Sequence, residues 1–297
     1  MSVLGAGKVT AVENLRSNCV ILRGFRAAAR SAPSEMTASI DGLNGLEGRP
    51  GYIYESFAGR YFTEENCARM DAVREEIAAR ASRGETPADV LDYLLASFLL
   101  AADRVANTLG QYDAFLKNIG ASPRGCGRRH LVDERVKTPF RMRPLAVLPI
   151  GGMEVMPADI MEVIDTIEVD VAYFDPPYNG RQYCDNYHVL ENLARWEKPP
   201  LYGKTRKFDR TGMRSPFSTR AGAKPSLRAL LERTRAPHIF LSYNSEGILA
   251  RKEIEEMLFP LGKLETLEMH YPVFGNGAGV SRKRSIKEYL FHLRKAG

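Results

Sequence analysis

Cysteine is scarce in this chain, and its spacing is informative. Four cysteines stand at Cys19, Cys67, Cys126 and Cys184, with no CxxC pair and no Cys/His ligand spacing. That excludes a zinc ribbon and a disulfide framework, and leaves four reduced thiols of a cytoplasmic protein as the expectation. Tryptophan occurs once, at Trp196. No apolar run approaches the roughly 20 residues that span a bilayer, and Met1 to Thr10 lack the charged-then-apolar design of a signal peptide. No membrane partner is expected.

What is present is an ordinary globular composition of 297 residues, 44% hydrophobic, with an excess of positive charge. The formal net charge is +6 and the isoelectric point about 9.1, which favours an anionic partner. The cations crowd two stretches. One runs from Arg124 to Arg143; the other, from Lys204 to Arg235, includes Lys204, Arg206, Lys207, Arg210 and Arg214 among Gly, Ser, Thr and Pro. Such stretches suit either a solvated charged face or contact with nucleic-acid phosphates.

Periodicity predicts an α/β protein. Gly7 to Asn14 alternates as a strand ending in a carboxylate, and Leu15 to Ala29 has helical spacing with Val20, Ile21 and Leu22 as core. Ser31 to Tyr54 loses periodicity and is expected to be a loop. Thr63 is the expected N-cap of a helix, and a strongly apolar helix follows from about Pro87 to Thr108. Further strands are expected at Pro144 to Ile150, Asp170 to Phe174 and His238 to Tyr243, the second buried on both faces. A short helix at Ala158 to Ile167 and another from Gly247 to Leu258 complete the middle of the chain. Lys263 to Tyr271 and Ser285 to Leu293 are expected to form an antiparallel pair across a link with three glycines. The expected division is residues 1–30 as the start of a core, 31–143 as a helical insertion, and 144–297 as the rest of the core with a basic loop at 198–235.

Asp175-Pro176-Pro177-Tyr178 follows a short apolar strand, where open α/β sheets place ligand sites. Each residue suits an exocyclic amino group on a base. Asp175 offers an acceptor to the amine, and the stiff Pro176-Pro177 backbone aims the Pro176 carbonyl as a second one. With both hydrogens held, the nitrogen lone pair is directed at an electrophile, by positioning and preorganisation. Tyr178 supplies a flat face for an extruded base. Asn179, Arg181, Gln182, Tyr183, Tyr187 and His188 continue the loop with polar and aromatic groups suited to a base and its phosphate.

The segment Asp175 to Trp196 (DPPYNGRQYCDNYHVLENLARW) resembles the catalytic segment of the DPPY-type DNA adenine-N6 methyltransferases of restriction-modification systems. Tyr61 to Asn66, Leu94 to Asn107 and Leu241 to Gly247 resemble the same family in the same order, so the likeness covers most of the chain. It implies a Rossmann-like methyltransferase sheet that binds S-adenosylmethionine at its carboxyl ends and acts on double-stranded DNA, with a cognate restriction endonuclease as a possible partner. Glu13 matches the acidic residue on the cofactor's ribose hydroxyls, where a carboxylate accepts two hydrogen bonds. Asp175 and Pro176 would line both methyl donor and target amine, and the insertion with the basic loops would recognise the target. A third cofactor contact is open between Glu154 and Asp159. The family's Phe-x-Gly-x-Gly loop is absent before Glu13, so the first strand is expected to be missing, through a start set upstream or a true truncation. Phe57-Ala58-Gly59 imitates the loop but stands after Glu13, and is expected to be local turn and packing. Two other functions stay open: a catalytically silent DNA-binding remnant, and methylation of cytosine N4 or an RNA base.

Overall fold

The computed structural model describes residues 7–30, 33–108, 110–116, 134–148, 152–272 and 285–296. Strand β1 (Lys8–Glu13) leads into helices α1 (Arg16–Ala28), α2 (Pro33–Asn44), α3 (Tyr52–Phe57), α4 (Glu64–Arg83) and α5 (Ala88–Arg104). Strand β2 (Gly152–Pro157), a short helix Ile160–Val163 and strand β3 (Val171–Phe174) follow. A helical turn Tyr183–Asn186 precedes helix α6 (His188–Arg195). Helix α7 (Arg220–Arg233), strand β4 (His238–Asn244), helix α8 (Arg251–Leu258) and strands β5 (Gly262–Pro272) and β6 (Ser285–Lys295) end the chain. The result is a mixed α/β protein. It divides into two compact units, residues 1–158 with 184–210, and residues 159–183 with 211–297.

The first unit is mainly helical. Its core gathers Val20, Ile40, Leu43, Phe57, Tyr61, Phe98, Leu99 and Leu193. Helices α1 and α5 approach so closely that a Cβ on Gly24 would lie 2.3 Å from the Ala96 Cβ. Strand β1 pairs in parallel with β2, Glu13 beside Pro157. Several helix ends are closed by distant side chains. Buried Asp71 accepts the amides of Gly51, Ile53 and Tyr54 at 2.8–2.9 Å around the start of α3, and Arg74 donates to the Leu193 and Ala194 carbonyls at the end of α6. Burial lowers the Arg74 guanidinium to about 10. The Thr63 cap is present as expected, its hydroxyl accepting the Asn66 amide at 3.2 Å.

The second unit holds a four-stranded sheet ordered β3-β4-β6-β5, with β3 and β4 parallel and the rest antiparallel. The antiparallel β5–β6 pair is as expected; the link between them lies outside the described residues, as do Arg124, Arg128 and Arg129 of the first basic stretch. Ile239, Leu241 and Tyr243 point into a core with Leu227 and Leu231 of α7 and Ile254 and Leu258 of α8.

Five expectations need correction. Residues 33–44 and 52–57 are helices and not loop, because Met36, Ile40 and Leu43 recur at helical spacing and all three are buried. Ile21 and Leu22 are only half-buried; Cys19 beside Val20 takes the core position. Residues 144–148 form no strand. They are held to α5, the Leu145 amide donating to the Tyr93 hydroxyl at 3.1 Å and Ser97 Oγ donating to the Arg143 carbonyl at 2.7 Å. The strand comes at Gly152–Pro157, where Met153 and Val155 are buried and Glu154 is exposed. Strand β3 is not covered on both faces, since Val171 is 37% and Tyr173 53% exposed while Ala172 is buried. Finally, α8 begins at Arg251, where the Glu253 side chain reaches back to accept the amide of the N-cap Ala250 at 3.0 Å.

Candidate active site

Asp175-Pro176-Pro177-Tyr178 leaves the carboxyl end of β3 in the second unit. Asp175 keeps an exposed face, and the protein packed behind it raises its carboxyl above the ordinary range by burial. No hydrogen bond or ion pair among the described residues engages that carboxylate. Pro176 is buried and Pro177 half-buried. The Tyr178 carbonyl accepts the Ile248 amide at 2.7 Å, which ties the loop to the segment after β4. The Tyr178 ring stands edge-on to Tyr243, centroids 6.2 Å apart, and the Asn244 side chain acts to lower its phenol pKa. Burial first, then the charges of Glu288 and Asp175, raise the Tyr178 phenol. Glu288, opposite Asn244 on β6, is raised by burial and by Asp175, against the lowering effect of the Asn244 side chain. Asn244 and Glu288 were not singled out as site residues from the sequence. The Leu241 to Gly247 segment held the signal for Asn244; nothing short of the strand register could have found Glu288.

The residues after the motif have different tasks. The Asn179 side chain accepts the Arg181 amide at 2.9 Å, turning the chain, and Asn179, Arg181 and Tyr183 are exposed. Gln182 is buried and clamps one residue: it donates to the Ser215 carbonyl at 3.0 Å and accepts the Ser215 amide at 2.7 Å. Its amide thus holds the Ser215 backbone on both its donor and its acceptor side.

The first unit holds most of the remaining candidates. Tyr187 is half-buried. His188 is fully buried, its Nδ1 2.9 Å from the Asp185 carbonyl and its Nε2 2.6 Å from the Thr205 carbonyl. It ties the start of α6 to the basic loop from within the core. Burial lowers its pKa, with Lys207 and Arg210 adding to the effect against the two carbonyls. Lys207 donates to Asp113 at 2.6 Å and lies 3.3 Å from Asp185, which Arg210 also meets at 2.9 Å. Burial pushes the Asp185 carboxyl up, but Arg210 and Lys207 outweigh it and hold it below the ordinary range. Arg206 has a left-handed backbone, φ 54°, and a buried Nε. Lys204 is exposed in this unit and Arg214 in the other.

Glu13 ends β1. Its carboxylate accepts the Leu15 amide at 2.8 Å and Asn18 Nδ2 at 3.0 Å while staying half-exposed. Each oxygen keeps acceptor capacity beyond the bond it already takes. Glu154 is exposed and paired with Lys8 at 3.2 Å, whereas Asp159 caps the short helix after β2, accepting the Met161 amide at 2.8 Å. Phe57-Ala58-Gly59 is local packing, as expected: Phe57 is buried and Gly59, at φ 69°, makes the turn. Among the described residues there is no His/Cys/Asp/Glu cluster that could hold a metal ion, and no helix long and apolar enough to cross a membrane.

The family described as D12 class N6 adenine-specific DNA methyltransferase matches residues 30–257. The type II methyltransferase M.NlaIII of Neisseria lactamica is 33% identical over 266 residues, 85% of this chain and 74% of that protein. The modification methylase StsI of Streptococcus sanguinis is 29% identical over 239 residues, 79% of this chain but 34% of that protein. The type II methyltransferase M.CviAII of Paramecium bursaria Chlorella virus 1 is 29% identical over 280 residues, 92% of this chain and 79% of that protein. No solved structure matches the chain.

Proposed function

Because this chain belongs to the D12 class of N6 adenine-specific DNA methyltransferases, we propose that it methylates the N6 amino group of adenine in double-stranded DNA, with S-adenosylmethionine as donor and the target base turned out of the helix. The observation that carries this reading is the Asp175 carboxylate. It stands at the carboxyl end of a parallel strand, exposed on one face, raised in pKa by the protein packed behind it, and engaged by no partner among the described residues. An acceptor left open to solvent there, with its pKa perturbed, is available to a substrate amine.

The residues present fit the cofactor by their donor and acceptor chemistry. Glu13 holds a preorganised, half-exposed carboxylate with capacity for a ribose diol. When bound, the cofactor brings an electrophilic methyl group. Asp175 accepts one amine hydrogen and the Pro176 carbonyl the other, so the nitrogen lone pair is aimed without prior removal of a proton. Tyr178, held by its carbonyl bond to Ile248 and by its edge-on contact with Tyr243, offers its ring to the extruded base.

The exposed Asn179, Arg181, Tyr183, Lys204 and Arg214, with the half-buried Tyr187, are the DNA contacts of this proposal, whereas Gln182, His188 and Lys207 shape the loops that present them. Residues 31–143 would carry target recognition, and a cognate restriction endonuclease would be the counterpart in the cell. The Rossmann-like form of the proposal draws support from the parallel β3–β4 pair. Among the described residues β1 pairs only with β2, and β3 only with β4.

Labelled methyl transfer to unmethylated DNA, with nucleoside analysis of the product, tests the reading. Label in N6-methyladenine, lost in Asp175→Ala with DNA binding retained, is the expected result. Label in N4-methylcytosine, or undiminished transfer by Asp175→Ala, would overturn it.

A further inference from the structure

Helix α1 has no cap of its own. Leu15 stands at its N-cap position and offers no side-chain acceptor. The first amides donate instead to Glu191 of α6, with Arg16 N 3.0 Å from Oε1 and Ser17 N 2.9 Å from Oε2. Ser17 Oγ donates a second bond to Oε2 at 2.9 Å, and Arg195 Nε one to Oε1 at 2.7 Å. Glu191 is wholly buried. A buried carboxylate is tolerated only where donors replace its lost water, and here four do so at a helix start whose dipole also favours it.

The residues that Glu191 grips lie inside the turn that holds Glu13. Glu13 receives the amide of Leu15 on one oxygen and Asn18 Nδ2 on the other, and its backbone carbonyl accepts the Cys19 thiol at 3.2 Å. Arg16 and Ser17 stand between Leu15 and Asn18. Anchoring those two residues therefore sets where both Glu13 donors stand, and so where the Glu13 carboxylate points.

We propose that Glu191 is a positioning residue for cofactor binding, which never touches the cofactor and fixes the Glu13 carboxylate in the orientation that receives a ribose diol. This rests on the assignment of Glu13 to the cofactor made above. A cap that merely stabilised α1 would affect folding alone. The geometry asks for more, because the capped residues and the Glu13 donors are one continuous turn. In Glu191→Gln the amide NH2 meets a donor on whichever side it takes, so one side of the grip opens.

The test is calorimetric titration of the full chain with S-adenosylmethionine, for the parent, Glu13→Ala, Glu191→Gln, Ser17→Ala and the Glu13→Ala/Glu191→Gln double variant. Glu191→Gln is expected to weaken binding about tenfold and Ser17→Ala less, while kcat at saturating cofactor and DNA affinity keep parent values. In the Glu13→Ala background, Glu191→Gln is expected to add nothing further. Parent-level cofactor affinity in Glu191→Gln, with only the melting temperature lowered, would overturn the proposal, as would full additivity in the double variant. Should Glu191→Gln not fold, Ser17→Ala is judged by the same criterion. If Glu13→Ala keeps parent affinity, or the parent binds no cofactor, the Glu13 assignment itself fails and this proposal with it. If Glu13→Ala weakens binding and Glu191→Gln does not, only this proposal fails.

Discussion

Asn244 stands directly opposite Glu288 in the antiparallel register of β4 and β6, where its side-chain amide lies near enough to the Glu288 carboxyl and the Tyr178 hydroxyl to hold down the pKa of each. It also accepts the Glu246 amide at 3.0 Å. One buried amide thus holds the turn after β4 and stands beside the Tyr178 ring of the Asp175–Tyr178 loop. Asn244→Ala is expected to cost about 2 kcal/mol of stability, since it strips several partners at once. It should also lower kcat more than KM for DNA, because Tyr178 loses the side chain beside its ring. Chemical denaturation and steady-state kinetics read the two effects; a stability loss with unchanged kcat would remove Asn244 from the site.

Asp175 and Glu288 both have carboxyls raised by burial, and Glu288 is raised further by the charge of Asp175. Their sign is the same. A folded-state pKa above the unfolded value favours folding most below the unfolded pKa, and that contribution is lost as pH rises through the folded pKa. Carboxyl-carbon NMR titration should find Glu288 above its ordinary 4.5 in the parent, and closer to it in Asp175→Asn. An unmoved Glu288 titration in that variant would show that the two groups do not sense each other.

Lys204 and Lys207 are three residues apart and should behave differently. Lys204 is exposed, while Lys207 is committed to Asp113 and Asp185. Lys204→Ala, like Arg214→Ala, should weaken DNA binding and reduce the slope of log affinity against log salt by about one. Lys207→Ala should instead destabilise the first unit by about 1–3 kcal/mol, leaving Asp113 without this cation and Asp185 with Arg210 alone. Salt-dependent binding and urea denaturation separate the cases. An unchanged salt slope in Lys204→Ala would take that residue out of the interface.

The contrast shows what a single chain makes legible. Contiguous features were readable: β1 with its terminal carboxylate, the Thr63 cap, the apolar run of α5, the β5–β6 pair and the motif after β3. Helix α2 was hidden because Gly and Ser surround its buried Met36, Ile40 and Leu43, so composition masked the spacing that decides the element. The basic loop read as one block of cations because the anions that claim Lys207 and Arg210 come from Asp113 and Asp185, far away in sequence. Remote caps such as Asp71 on α3 and Glu191 on α1 are invisible for the same reason. They are pairings made by packing, and only the folded chain brings them together.

His188 gives the sharpest pH test. Carbonyl oxygens face both ring nitrogens, at 2.9 and 2.6 Å, which favours the protonated ring. Full burial and the neighbouring cations Lys207 and Arg210 oppose it, and burial dominates, so the pKa falls below 6.5. For a base whose folded pKa is depressed, stability is present above the unfolded pKa and lost as pH falls through the folded one. The parent should therefore lose stability as pH drops below about 6.5, in a component that His188→Asn lacks. Asn can still donate to one of the two carbonyls, so that variant should fold, at a cost of about 2 kcal/mol at alkaline pH. Its stability should also fall less steeply on acidification. Urea denaturation of both proteins across that range measures this directly. A parallel pair of profiles would mean that His188 does not titrate in the window, and that the pH response belongs to other groups.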